Sequence, residues 1–154
     1  MSREIKFRGK RKDNGKWIYG FLMNMYKDRL FIGIWHNIGG EATIKDELFF
    51  SYPEVIPETV GQYTGLKDKN GKEIYEGDVV VQDCYLWFDE GKPNYRGTVE
   101  MIYQQWQVVA HCVNPDKQGI SDGINESLNF NGFEDNEKTN WEVIGNIFEN
   151  PELL

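Results

Sequence analysis

Two stretches of the 154-residue chain combine glycines with lysines in a way that could hold phosphate: GKRKDNGKW from Gly9 and GLKDKNGKE from Gly65. In a nucleotide-binding loop the glycines let backbone amides wrap the phosphates, and a Ser or Thr after the final lysine holds magnesium. Here five residues rather than four separate Gly9 from Gly15 and Gly65 from Gly71, and the lysines are followed by Trp17 and Glu73. Both copies also lead into strand-like residues instead of a helix. Asn-Gly is a strong hairpin signal, because a type I′ turn takes positive φ at both central positions. Asn14-Gly15 and Asn70-Gly71 are therefore expected at hairpin tips, in type I′ turns, and a P-loop is excluded. The wider match of Gly9, Asn14, Gly15, Lys16, Ile18 and Tyr19 to Gly65, Asn70, Gly71, Lys72, Ile74 and Tyr75 reads as convergence on one turn chemistry.

Other chemistry is thinly supplied. Cys84, His111, Cys112 and His36 are the soft metal ligands, but none forms the closely spaced pair that structural zinc requires. His111 and Cys112 are adjacent on an expected strand and so point to opposite faces. A nucleophile needs a histidine base within reach, and Cys84 with His111 is the one pair to consider; no nucleophile-elbow signature accompanies it. Asp78, Asp83 and Asp89 sit in so acidic a chain that paired carboxylates carry no information. No catalytic residue, metal or cofactor is assigned, and a non-enzymatic protein is expected.

The elements that would position any site read as strands. Ile5–Arg8 alternates apolar and basic residues, and Trp17–Met25 and Leu30–Trp35 are aromatic and aliphatic runs of strand length. Pro53 and Pro57 bracket an extended piece. Further strands are expected over Asp78–Phe88, Gly97–Tyr103, Trp106–Cys112 and Trp141–Phe148, the last with Trp141, Val143 and Ile147 on one face. Asn37–Asp46 and residues 114–140 read as loops, the latter with room for a short helix because Ile120, Ile124 and Leu128 recur every fourth residue.

Composition agrees with a β protein: 9 Phe, 8 Tyr, 5 Trp and 16 Gly favour strands and turns. The formal net charge of -8 disfavours nucleic acid as a partner. Two cysteines make no disulfide framework, and no apolar run is long enough to span a bilayer. These point to a soluble cytoplasmic protein with reduced thiols and no membrane partner. Residues 1–16 are basic and residues 120–154 acidic, which suits solvated faces, pairing within the fold or between subunits, or a basic contact surface for an acidic partner.

REIKFRG at 3–9, VGQYTGLKDKNGKEIYEGDVV at 60–80 and WEVIGNIFENPELL at 141–154 resemble the YopX family of phage and prophage proteins. The three blocks span the chain, which departs from the family pattern over Ile38–Phe50 and Gly119–Asn140. The resemblance implies a mostly β, phage-derived accessory protein and carries over no catalytic residues.

One domain over residues 1–154 is expected, mostly β. Its centre would be a small closed SH3-like barrel (about residues 60–112 with 141–148), with N-terminal hairpins over residues 3–50 beside it. The expected role is association with another phage or host protein, or with itself as a homo-oligomer. The alternative is a nucleic-acid-associated module in which Arg8, Lys10, Arg11 and Lys12 meet phosphate while Tyr85, Trp87, Tyr103 and Trp106 stack on bases. Against it stands the reading in which those aromatics fill the core.

Overall fold

The computed structural model describes residues 4–26, 29–37, 48–83, 94–102, 105–111, 125–127 and 141–153. Among these the regular structure is antiparallel strand, in two sheets, apart from the 3-10 turns Pro57–Thr59 and Pro151–Leu153. No helix is long and apolar enough to cross a membrane. The chain divides into two compact units, Met1–Gln62 and Tyr63–Leu154.

The first unit holds β1 (Phe7–Lys10), β2 (Trp17–Tyr26), β3 (Arg29–Asn37), β4 (Leu48–Ser51), β5 (Glu54–Val55) and the opening residues of β6 (Gly61–Lys67). They lie in the order β4-β3-β2-β1-β6, with β5 also on β3. Arg8 pairs with Tyr19, Lys10 with Trp17, Leu22 with Ile32 and Trp35 with Phe50. Paired residues share a face and successive residues alternate, so this register sorts the side chains into two sets. Gly9, Leu22, Ile32 and Val55 make an aliphatic face on which Ile32 and Val55 are buried. Gly9 lets the face pack closely: a β-carbon on it would stand 3.2 Å from both Ile32 and Val55, so those side chains would have to shift by a few tenths of an ångström. The opposite face is aromatic and basic. Thr59 fixes the end of the unit to β1, its Oγ1 accepting the Lys10 N–H at 2.9 Å.

The second unit begins with the hairpin of β6 and β7 (Glu73–Tyr75). A sheet of β8 (Asp78–Asp83), β9 (Asn94–Ile102), β10 (Gln105–His111), β11 (Asn125–Ser127) and β12 (Glu142–Asn146) follows, in the order β11-β10-β9-β8-β12. Ile74, Val80, Val99, Trp106, Val108 and Trp141 form its core, with Leu66 and Val143 against them. Each such aliphatic side chain contributes roughly 1.5–3 kcal/mol on burial. Asp68, 1% exposed, joins distant parts of the unit. Its Oδ1 accepts the N–H groups of Asn70 and Lys72, both at 2.8 Å, and its Oδ2 that of Val143 at 3.2 Å.

Both Asn-Gly pairs lie at hairpin tips, and Gly15 and Gly71 have φ of 69° and 86°. The turns are not type I′. Gly71 N–H donates to Asp68 O at 2.9 Å and Asp68 N–H to Lys72 O at 2.7 Å. This closes a turn over Lys69-Asn70 with glycine after it as a bulge. The Asp68 carboxylate decides the difference, because holding the Asn70 and Lys72 amides lets a single residue go left-handed rather than two. At the first tip Gly15 N–H reaches Arg11 O at 2.9 Å, spanning one residue more. Neither glycine-lysine loop opens a helix.

The expected strands recur within a few residues of their expected limits where described. Phe88, Tyr103 and Cys112 lie outside the described residues, as does the expected loop from residue 38 to 46. Ile120, Ile124 and Leu128 also lie outside them, but Asn125–Ser127 is strand β11 paired with β10, so a helix through those three positions is excluded. Trp141–Phe148 is shorter than expected. Asn146 Oδ1 accepts the Phe148 and Glu149 N–H groups at 3.0 Å and turns the chain there.

Candidate functional site

Among the described residues, the aromatic face of the first unit brings exposed rings and cations together. On β1 and its approach, Lys6, Arg8 and Lys10 point to this face at every second residue. On β2, Trp17, Tyr19 and Phe21 do the same beside them. The two rows interlock as cation–π pairs: Lys6 Nζ lies 5.9 Å from the Tyr19 ring, Arg8 Cζ 4.8 Å and Lys10 Nζ 5.4 Å from the Trp17 ring. Arg29 repeats the motif 5.2 Å from Phe31. Across β3 and β4 the rings continue. Trp35 and Phe50 have centroids 4.8 Å apart, Phe50 and Tyr52 6.0 Å, and Phe31 and Tyr52 6.3 Å.

Tyr19 is 46%, Phe21 55%, Trp35 59% and Tyr52 49% exposed. Four large rings facing water from one side of a small sheet make this face the candidate interaction surface, since large exposed apolar area is seldom left without use. Aromatics and arginine are also what interface centres are enriched in.

The four basic residues singled out from sequence separate into different environments. Lys10 lies on the aromatic face, half-buried over Trp17. Arg8 is only 5% exposed, so its guanidinium positions Trp17 rather than meeting a partner. Arg11 and Lys12 belong to the hairpin tip. Arg11 Nε donates to Asp13 Oδ1 at 2.9 Å, and Lys12 Nζ lies 3.0 Å from Glu54 Oε1, whose other oxygen meets Arg29 at 2.6 Å. Arg11, Lys12, Asp13 and Glu54, with Pro53, line an open cleft of about 360 Å³. The hydrogen bond from Arg29, then that from Lys12, draw the Glu54 carboxyl down to about 2, and the Arg11 hydrogen bond lowers Asp13. The charges of the cleft are thus spent on one another.

The remaining candidates give less. Cys84, Cys112, Tyr85, Trp87, Asp89 and Tyr103 lie outside the described residues. Trp106, 7% exposed, is part of the second unit's core rather than an exposed stacking platform. His36 Nε2 lies 2.7 Å from Ser51 Oγ on the neighbouring strand, a cross-strand polar pair of the kind that stabilises sheets. Among the described residues no three of His, Cys, Asp and Glu are grouped to share a metal.

Sequence reasoning missed the aromatic face although its signal was present. Trp17, Tyr19 and Phe21, like Lys6, Arg8 and Lys10, recur with the period of two that puts side chains on one side of a strand. What the sequence lacked was the register that sets one row beside the other, and the ring of Phe50 brought in by β4.

The family model of the YopX protein matches residues 6–154, and the chain belongs to that family. The crystal structure of protein EF1440 from Enterococcus faecalis is similar at 22% identity and a TM-score of 0.44, covering 99% of each chain. No curated protein matches.

Proposed function

We propose that this YopX-family protein is a non-enzymatic, phage-derived accessory protein that works by association, and that the aromatic face of its first unit is the surface through which it associates. One observation carries the reading: Tyr19, Phe21, Trp35 and Tyr52 are exposed together on one face, where single scattered rings would mean nothing. The phage origin rests on the family's character. The second unit supplies a stable platform. Its strand order, in which the last strand β12 returns beside the first strand β8 and the others follow as a meander, supports a small SH3-like barrel.

The test places a photoreactive phenylalanine analogue at position 21 or 35 of the full chain in bacteria, with Glu100, exposed in the second unit, as the control position. Irradiation is expected to yield heavier adducts from 21 and 35 and none from 100. Adducts from 100 alone, or none at all, would overturn the reading.

A further inference from the structure

Resting on that reading, we propose that the occupant of the aromatic face is a single-stranded nucleic acid, its bases laid on Phe21, Trp35 and Tyr52 and its phosphates met by Lys6 and Lys10.

The net charge of -8 argues against this only if it is spread evenly, and it is not. Residues 1–62 hold 10 Lys and Arg against 8 Asp and Glu, a net of +2, whereas residues 63–154 hold 7 against 17, a net of -10, together giving the -8 of the whole chain. The negative charge therefore belongs to the second unit. Local field, not total charge, governs where a polyanion docks.

The face sets its cations and its rings on different strands. Lys6 and Lys10 stand along β1 and its approach about 14 Å apart, and the rings of Phe21, Trp35 and Tyr52 follow on β2, on β3 and just past β4. Cations along one edge and rings beyond them match a chain whose phosphates and bases lie on opposite edges. Stacking on aromatic side chains accepts any base, since every base has a π-face, but it requires the base to be unpaired. A duplex cannot present its bases to a flat sheet in this way. Exposed rings suit a protein partner too, but the lysines beside them and the net of +2 in residues 1–62 favour a polyanion whose bases can stack.

Fluorescein-labelled oligothymidylate and oligouridylate of twelve nucleotides, titrated with the full-length protein at low salt, test this by anisotropy. The expected result is binding to one or both oligomers that weakens with salt at a log–log slope of about -0.7 for each phosphate neutralised. A duplex of equal length should bind more weakly. Lys6→Glu with Lys10→Glu, and separately Phe21→Ser, should each weaken binding at least tenfold while the melting temperature stays within a few degrees of wild type. Binding unchanged in these variants would overturn the proposal. So would an absence of binding, and if the adducts at 21 and 35 then prove resistant to nuclease and sensitive to protease, association through this face stands with a protein as the partner. Adducts trimmed by nuclease would support the proposal independently of the titration.

Discussion

The ring of Phe50 lies across Gly33 on the neighbouring strand, its Cε2 atom 2.8 Å from where a β-carbon on Gly33 would stand. The glycine is the seat of the ring, and the same ring lies 4.8 Å from Trp35 and 6.0 Å from Tyr52. Gly33→Val must therefore displace Phe50 and loosen the cluster. Overpacking of this kind costs about 1–3 kcal/mol. Chemical denaturation should show that loss, and the near-ultraviolet circular dichroism of the aromatic cluster should change with it. A variant with wild-type stability and an unchanged aromatic spectrum would show that Phe50 is not seated there.

Asp68 should be the most sensitive polar position of the second unit. Asp68→Ala leaves the Asn70, Lys72 and Val143 amides without their acceptor, and an expected loss of at least about 2–3 kcal/mol follows. Asp68→Asn keeps an acceptor for Asn70 and Lys72 but can turn an amide N–H toward that of Val143, so its cost should be intermediate. Urea unfolding of the two variants measures the order.

The hairpin tips separate a turn from a phosphate loop. A β-carbon on Gly15 or Gly71 would meet nothing within 4 Å, so Gly71→Val strains only the backbone, at about 1–2 kcal/mol. Gly71→Asn should cost less, since Asn tolerates positive φ. ATP with magnesium should leave the melting temperatures of wild type and both variants unmoved.

Acid should reach Glu54 late. With its carboxyl held down to about 2 by Arg29 and Lys12, the ionised form is favoured by folding. Its contribution is complete above the ordinary carboxylate range and fades as pH falls through that range toward about 2. Glu54→Gln should flatten this part of the stability–pH curve, and carbon-detected NMR titration of the Glu54 carboxyl should give a midpoint well below that of an exposed glutamate. A midpoint in the ordinary range would show that the Arg29 and Lys12 pairs are not held in solution.

Much of the fold was legible because strands announce themselves through aromatic and β-branched runs, as at Trp17–Tyr26 and Asn94–Ile102. The hairpin tips were legible through their Asn-Gly pairs. Their turn type was not: at Asn70-Gly71 the Asp68 carboxylate holds the Asn70 and Lys72 amides and also accepts the N–H of Val143, 75 residues away along the chain, and at Asn14-Gly15 the closing bond runs from Gly15 to Arg11. The aromatic face was half legible. Arg8, Lys10, Arg11 and Lys12 stood out, but Arg8 is buried over Trp17 and Arg11 is tied to Asp13, facts that arise only once β1 and β2 pair and the tip closes. Short strands such as β4, β5 and β11 have too few residues to show a period, and their neighbours alone define them.

That the aromatic face takes single-stranded nucleic acid is tested most directly by amide chemical shifts in the isotope-labelled full-length protein, titrated with oligothymidylate and with oligouridylate. Shifts are expected at residues 6–10, 17–25 and 33–36, on the strands that carry Lys6, Lys10, Phe21 and Trp35, with strands β8 to β10 undisturbed. Shifts confined to residues 63–154, or a spectrum that does not move at all, would contradict the account.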